Sequence, residues 1–118
     1  MEQQSRGFFV EPTAFCNYTN VVMEHIVFEW DEHKAASNLR KHGVTFVDAV
    51  SVFRDPHCLV SQDRFENGEI RWQSIGYASN TPLLLMAHTY QNRDGCTVIR
   101  IISARRASKA ERRRYEHR

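Results

Sequence analysis

The turns between residues 57 and 106 constrain this chain more than any other feature of its sequence. Strand-like runs at Cys58 to Gln62, Ile70 to Ala78, Leu83 to Tyr90 and Thr97 to Ala104 alternate with segments rich in Asp, Asn, Gly, Ser and Pro at 63–68, Ser79 to Pro82 and Gln91 to Gly95. Turns of about four or five residues cannot carry a parallel crossover, which needs a dozen or more, so successive strands here must run antiparallel. Within Leu83 to Tyr90 the apolar residues do not alternate with polar ones, the pattern of a strand covered on both faces.

Upstream of this meander the pattern predicts a short strand at Phe28 to Trp30 and then two helices. Asp31 suits the N-cap of a helix through Lys34, Ala35, Ala36, Leu39 and Arg40; Lys41 and His42 fall in its last turn and Gly43 at the position after it. Thr45, with Asp48 three residues on, starts a second helix through Phe46, Ala49, Val50 and Phe53 that ends at Asp55-Pro56. Downstream, Ser108-Lys109-Ala110-Glu111 has the form of a capping box opening a basic terminal helix. The expected order is β-α-α-β-β-β-β-α. This is an α+β fold: an antiparallel sheet of about four strands packed with two N-terminal helices and a basic C-terminal helix.

A chain of 118 residues supports one core. Residues 1–24 show neither a strand nor a helix period, and the expectation is that either Met23 is the natural start or residues 1–22 are an extension outside the core, with a single domain over 23–118. The longest apolar run, Leu83 to Ala87, is far short of the roughly 20 residues that cross a bilayer. With no membrane span and no secretory signal pattern, the expected location is the cytoplasm. Cys16, Cys58 and Cys96 form no CxxC pair and read as free thiols.

Charge is distributed unevenly. Residues 100–118 hold eight Lys or Arg against two acids, a net +6, while the other residues hold eight against twelve, a net −4. A basic C-terminal element suits a polyanion, RNA or DNA first, although a merely solvated helix has the same composition. Arg100, inside Val98-Ile99-Arg100-Ile101-Ile102, needs either a buried acid such as Glu29 or Glu69 or a bound anion. By strand period Arg71 shares a face with Gln73 and Tyr77; it either pairs with Glu66 or Glu69 or joins Arg100 as a fork on phosphate. Arg105 and Arg106 leave the sheet beside the start of the terminal helix, a place that favours anions. Lys41 and His42 are either partners of the helix dipole or proton-transfer groups, and His88 is either a core-edge histidine or a catalyst. The sequence holds no HExxH, CxxC, P-loop, GxGxxG or GxSxG motif. Any catalysis is therefore expected to work without metal or cofactor, through His, Lys, Arg, Glu or Tyr.

Four phrases, Phe28-Glu29-Trp30-Asp31, Asn38 to Val44, Arg71 to Gly76, and Ile101 to Ala107 with Glu111 to Tyr115, resemble the BrnT toxins of bacterial type II toxin-antitoxin systems, in order and over about Met23 to the C-terminus. The resemblance implies a small RelE-like fold, ribonuclease activity that blocks translation, and a cognate BrnA antitoxin with a ribbon-helix-helix domain. The antitoxin is expected to bind in a two-fold assembly, to cover the arginine face, and to supply the only contact with operator DNA. The leading assignment makes Lys41 or His42 the proton-transfer groups and Arg71, Arg100, Arg105 and Arg106 the phosphate binders, with Lys109, Arg112, Arg113 and Tyr115 as further RNA contacts. Two other readings stand beside it. One is a non-catalytic module that binds nucleic acid or antitoxin through the same surface; the other is a protein-interaction domain whose basic end meets an acidic partner. Defined RNA products separate the first reading from the second, and poor RNA binding at low salt identifies the third.

Overall fold

The computed structural model describes residues 26–117. The extension expected at 1–22 and the start expected at Met23 lie outside the described residues. Strand β1 (Ile26–Glu29) leads into α1 (Glu32–His42), α2 (Phe46–Val50) and a 3-10 turn (Ser51–Arg54). Then follow β2 (Leu59–Glu66), β3 (Glu69–Tyr77), β4 (Leu83–Arg93), β5 (Cys96–Arg106) and α3 (Lys109–Glu116).

The strands form one five-stranded sheet in the order β1-β5-β4-β3-β2. Strands β2 to β5 make the expected antiparallel meander. The expectation of about four antiparallel strands is corrected by β1, which adds a fifth and runs parallel to β5, from Ile26 opposite Thr97 to Glu29 opposite Arg100. The physical reason is the long return path: α1, α2 and three strands separate β1 from β5, ample for a connection that a hairpin turn excludes. Two of the expected loops are also shorter than the composition suggested. Asn67 (φ 53°) and Gly68 (φ 80°) join β2 to β3, and Asp94 (φ 54°) and Gly95 (φ 83°) join β4 to β5. Two successive residues at positive φ make the tight turn whose twist matches that of the strands, so pairing continues right up to the turn.

The sheet is covered on both faces. Leu84, Met86, Ile99 and Ile101 pack with Phe28, Trp30, Phe46, Ala49 and Val52 under α1 and α2. Leu83, Leu85 and Ile75 pack on the other side against Tyr115 of α3. Alternate residues of β4 thus enter different clusters, which places α3 on the face opposite α1 and α2. Gly76 permits the close approach of the 3-10 turn, since a Cβ there would meet Val52 Cγ1 at 3.0 Å and Asp55 Oδ2 at 3.1 Å.

Both ends of α1 match the sequence reading. Asp31 accepts from the His33 and Lys34 amides, and Gly43 closes the helix at φ 70°. Asn38, in the middle of α1, is buried. Its amide donates to the carbonyls of Ala104 (2.8 Å) and Val44 (3.1 Å), and its Oδ1 accepts from the Ala104 amide at 3.1 Å. It thereby supplies β5 with the edge partner that β1, ending at Glu29, does not reach. His88 is fully buried in the core, with Nε2 2.7 Å from the Ser74 hydroxyl and its ring edge-on to Phe53 and Tyr90. Cys58 carries a free thiol, whereas Cys96, buried at the first position of β5, is disulfide-bonded and departs from the expectation of free thiols. No helix among the described residues is long and apolar enough to cross a membrane.

Two stability measurements follow from these buried polar groups. Asn38→Ala strands the Ala104 amide and carbonyl, so it should lower the unfolding free energy in urea titration by about 2–3 kcal/mol; a loss below about 0.5 kcal/mol would deny Asn38 this bridging role. Burial lowers the His88 pKa to about 4, so the folded state holds the ring neutral while the unfolded chain takes up a proton near its ordinary 6.5. Stability is therefore complete above pH 6.5 and should fall by about 1.4 kcal/mol per pH unit as the pH drops toward 4. Replacing His88 and Ser74 together by Leu and Ala should flatten that limb of the stability curve.

Candidate active site

The arginines of the sheet meet on the face that carries α3. Thr89 is the register partner of Arg100, and the pair Trp72 and His88 brings Arg71, one residue earlier, into line with Thr89. Arg71, Thr89 and Arg100 thus form one cross-strand row, with side chains on the same side of the sheet. Glu69, two residues before Arg71 and on the same face, joins them. Its Oε1 accepts from Arg100 Nη2 and lies 3.9 Å from Arg71 Nε. Of the two partners weighed for Arg100, the structure selects Glu69; Glu29 instead pairs with Arg93 at 3.3 Å.

The pairing is incomplete in a way that bears on function. Both arginine contacts go to the same carboxylate oxygen, and Glu69 Oε2 accepts no hydrogen bond from the described residues. Arg71 keeps only 16% of its side chain exposed, and its Nε is a buried donor with no hydrogen-bond acceptor. Such a group carries a desolvation cost that a bound anion would offset.

Beside this row a cleft of about 310 Å³ opens where β1 ends. Arg71, Arg100 and Ile102 line its sheet side, and Asp31 and Lys34 line it from the first turn of α1. Three cations therefore face one small volume. Asp31 is held below its ordinary carboxylate range by the Lys34 amide first and the His33 amide second. The larger hollow in the surface, about 600 Å³ between α1 and α2, has Glu32 as its sole ionisable lining residue and offers little chemistry.

The remaining expected residues are dispersed. Arg105 donates to both oxygens of Glu111, at 2.9 and 3.0 Å, and this bond drives the Glu111 pKa down to about 2. Its guanidinium is thus engaged in closing the start of α3, where Glu111 also completes the capping box with Ser108. Arg106, Lys109 and Arg113 are exposed. Arg112 donates to the Tyr77 hydroxyl at 3.3 Å. Tyr115, expected as an RNA contact, is buried and donates its hydroxyl to Asp55 at 2.6 Å, so its ring is an anchor for α3 rather than a stacking surface. Lys41 and His42 are exposed at the end of α1, and Lys41 lies about 10 Å along the helix axis from Lys34. Lys34 and Asp31 are the members of the cleft that sequence reasoning missed as site residues. Their place depends on the parallel docking of β1 beside Arg100, for which the local sequence carries no signal.

Residues 30–111 match the family model described as the ribonuclease toxin, BrnT, of type II toxin-antitoxin systems. Among solved structures, the 1.1 Å crystal structure of the Brucella abortus ribonuclease toxin, BrnT, is similar at 23% identity and a TM-score of 0.47, over 68% of this chain and 94% of that one. No curated protein matches the chain.

Proposed function

The chain belongs to the BrnT family of ribonuclease toxins of type II toxin-antitoxin systems, and from that premise we propose that it is a metal-independent endoribonuclease of the cytoplasm, with a RelE-like fold, which inhibits translation until a BrnA-type antitoxin covers its cleft. The observation that carries this reading is the convergence of Arg71, Arg100 and Lys34 on one cleft, with a buried Arg71 donor lacking an acceptor.

Cleavage of RNA without metal uses the neighbouring 2′-hydroxyl as nucleophile. Attack on phosphorus concentrates negative charge on the non-bridging oxygens, and preorganised guanidinium donors at that point stabilise the transition state more than the ground state. Arg71 and Arg100 have the required planar donor geometry, and Lys34 adds a third charge.

A backbone track for the rest of the RNA extends from the cleft. Ile75, four residues or about 13 Å beyond Arg71 on the same face of β3, packs against Tyr115 of α3, so the basic helix lies on the same face of the sheet as the arginine row. Exposed Arg106, Lys109 and Arg113, with Arg112, suit successive phosphates. Lys41 and His42 belong to a helix on the other face and sit at its far end, so proton transfer is assigned to groups of the cleft instead. A ribbon-helix-helix antitoxin would place acidic or apolar side chains over Arg71 and Arg100 and bind operator DNA as a two-fold assembly.

Induced expression should arrest bacterial growth, and coexpression of the adjacent antitoxin gene should relieve the arrest. Purified protein should cleave RNA in EDTA and leave 2′,3′-cyclic or 3′-phosphate ends; loss of activity with chelator and its return with magnesium would overturn metal independence. Arg71→Ala and Arg100→Ala should each reduce cleavage by roughly 100-fold or more, and each should reduce the salt dependence of binding to uncleavable RNA by about 0.7 in the log-log slope. Salt-sensitive binding that leaves RNA intact would favour the non-catalytic module.

A further inference from the structure

The cleft has cations to hold a phosphate, and its reaction also needs a proton acceptor and a proton donor. We infer that Glu69 is the general base of RNA cleavage and Lys34 the general acid, an assignment that rests on the ribonuclease reading above. Glu69 presents one engaged and one open oxygen. Arg100 and Arg71 both address Oε1, while Oε2 accepts no hydrogen bond from the described residues, and the side chain remains 32% exposed. A carboxylate fixed through one oxygen to the guanidinium that binds the phosphate has its second oxygen positioned beside that phosphate, where the attacking 2′-hydroxyl must lie.

The topology sets the donor opposite the acceptor. Glu69 stands on β3, and Arg100 on β5 is two strands away in the order β5-β4-β3; Lys34, on α1, lines the cleft beside Arg100. Glu69 is held by the two arginines from outside the cleft lining and Lys34 lines the cleft with them, so in this assignment a bound phosphate lies between base and acid, as an in-line displacement needs. In the step itself, the O2′ proton passes to Glu69 Oε2 as the O2′–P bond forms and the P–O5′ bond breaks. The departing O5′ takes a proton from the Lys34 ammonium. The products are a 2′,3′-cyclic phosphate and a 5′-hydroxyl, and solvent returns the two protons to their starting groups. The charged groups facing Glu69 are Arg71 on its own strand, Arg100 on β5 and its register partner Glu66 on β2, whose carboxylate is bound by Arg64.

The test uses the purified full chain, a short RNA, and the same RNA with a 2′-deoxy residue at the cleavage site as a binding probe. Glu69→Gln should reduce kcat by roughly 100-fold or more while binding of the deoxy probe changes less than about threefold, and it should remove the acidic limb of the pH-rate profile. Added formate should restore cleavage to Glu69→Ala by about tenfold or more, since a small carboxylate can replace a base but not a brace. Lys34→Ala should be defective on ordinary RNA and recover on a substrate with sulfur at the 5′ bridging position, whose leaving group needs no proton; Glu69→Gln should not recover. Should Gln at 69 prevent folding, Glu69→Asp decides the matter by retaining the acidic limb at a reduced rate. Cleavage by Glu69→Gln within about threefold of wild type, or loss of probe binding without formate rescue, overturns the base assignment, the latter in favour of a residue that only positions Arg100. Failure of the sulfur substrate to rescue Lys34→Ala overturns the acid assignment. A wild-type protein that leaves every RNA intact removes the ribonuclease reading itself, and this assignment with it.

Discussion

Strand β5 runs through eleven residues, but its parallel neighbour β1 accompanies it for only four of them, and much of the molecule is organised around that mismatch. An unpaired strand edge inside a small protein leaves donors and acceptors that must find partners. Asn38 satisfies Ala104 through both ends of its amide, which fixes α1 against the sheet at a single orientation. The cleft lies between the end of β1 and the Asn38 bridge, where Arg100, Ile101 and Ile102 line it. The same interruption that demands a side-chain substitute for a strand also admits Lys34 to the neighbourhood of Arg100.

The two faces of the sheet are tied together at the far end by Asp55. Burial acts to raise its pKa, but hydrogen bonds from the Tyr115 hydroxyl, the Tyr77 amide and the His57 amide outweigh burial and hold the carboxyl below its usual range. Asp55 follows the 3-10 turn on the face of α1 and α2, whereas Tyr115 belongs to α3 on the other. One ionised side chain thus anchors the basic helix to the scaffold beneath it, and removing it would leave the part-buried Tyr115 hydroxyl without this acceptor. The Arg105 and Glu111 pair secures the first turn of that same helix. Part of the positive charge at the C-terminal end is therefore structural.

Within this framework the Glu69, Arg71 and Arg100 group is incompletely bonded, with Arg71 Nε buried and without an acceptor. A half-buried arginine with an orphan donor weakens the fold, while a preorganised donor facing a cleft is what transition-state stabilisation requires. Such conflicts between local stability and polar satisfaction concentrate at functional sites, because natural sequences are otherwise locally consistent. His88, neutral and bonded to Ser74 through Nε2, also has a buried ring nitrogen, Nδ1, without a hydrogen-bond partner, but it is packed among aromatic rings and does not line the cleft.

By itself the sequence determined the helix ends and the direction of the meander, which short-range chemistry controls. Asp31 and Gly43 mark the ends of α1, Thr45 and Ser108 open the helices that follow them, and the short turns after residue 57 make the meander antiparallel. The same reading placed Arg71 and Arg100 on strands and showed that each needed a partner. It overestimated the loops at Asn67-Gly68 and Asp94-Gly95, because polar composition was read there without the positive φ that lets two residues reverse a chain. Only the tertiary structure decided that Glu69 rather than Glu29 joins Arg100, that Tyr115 is buried, and that Lys34 and Asp31 face the arginines. Each of these outcomes depends on which strands become neighbours. That choice follows from burying the apolar faces of distant segments together, a property of the whole chain that no local pattern encodes.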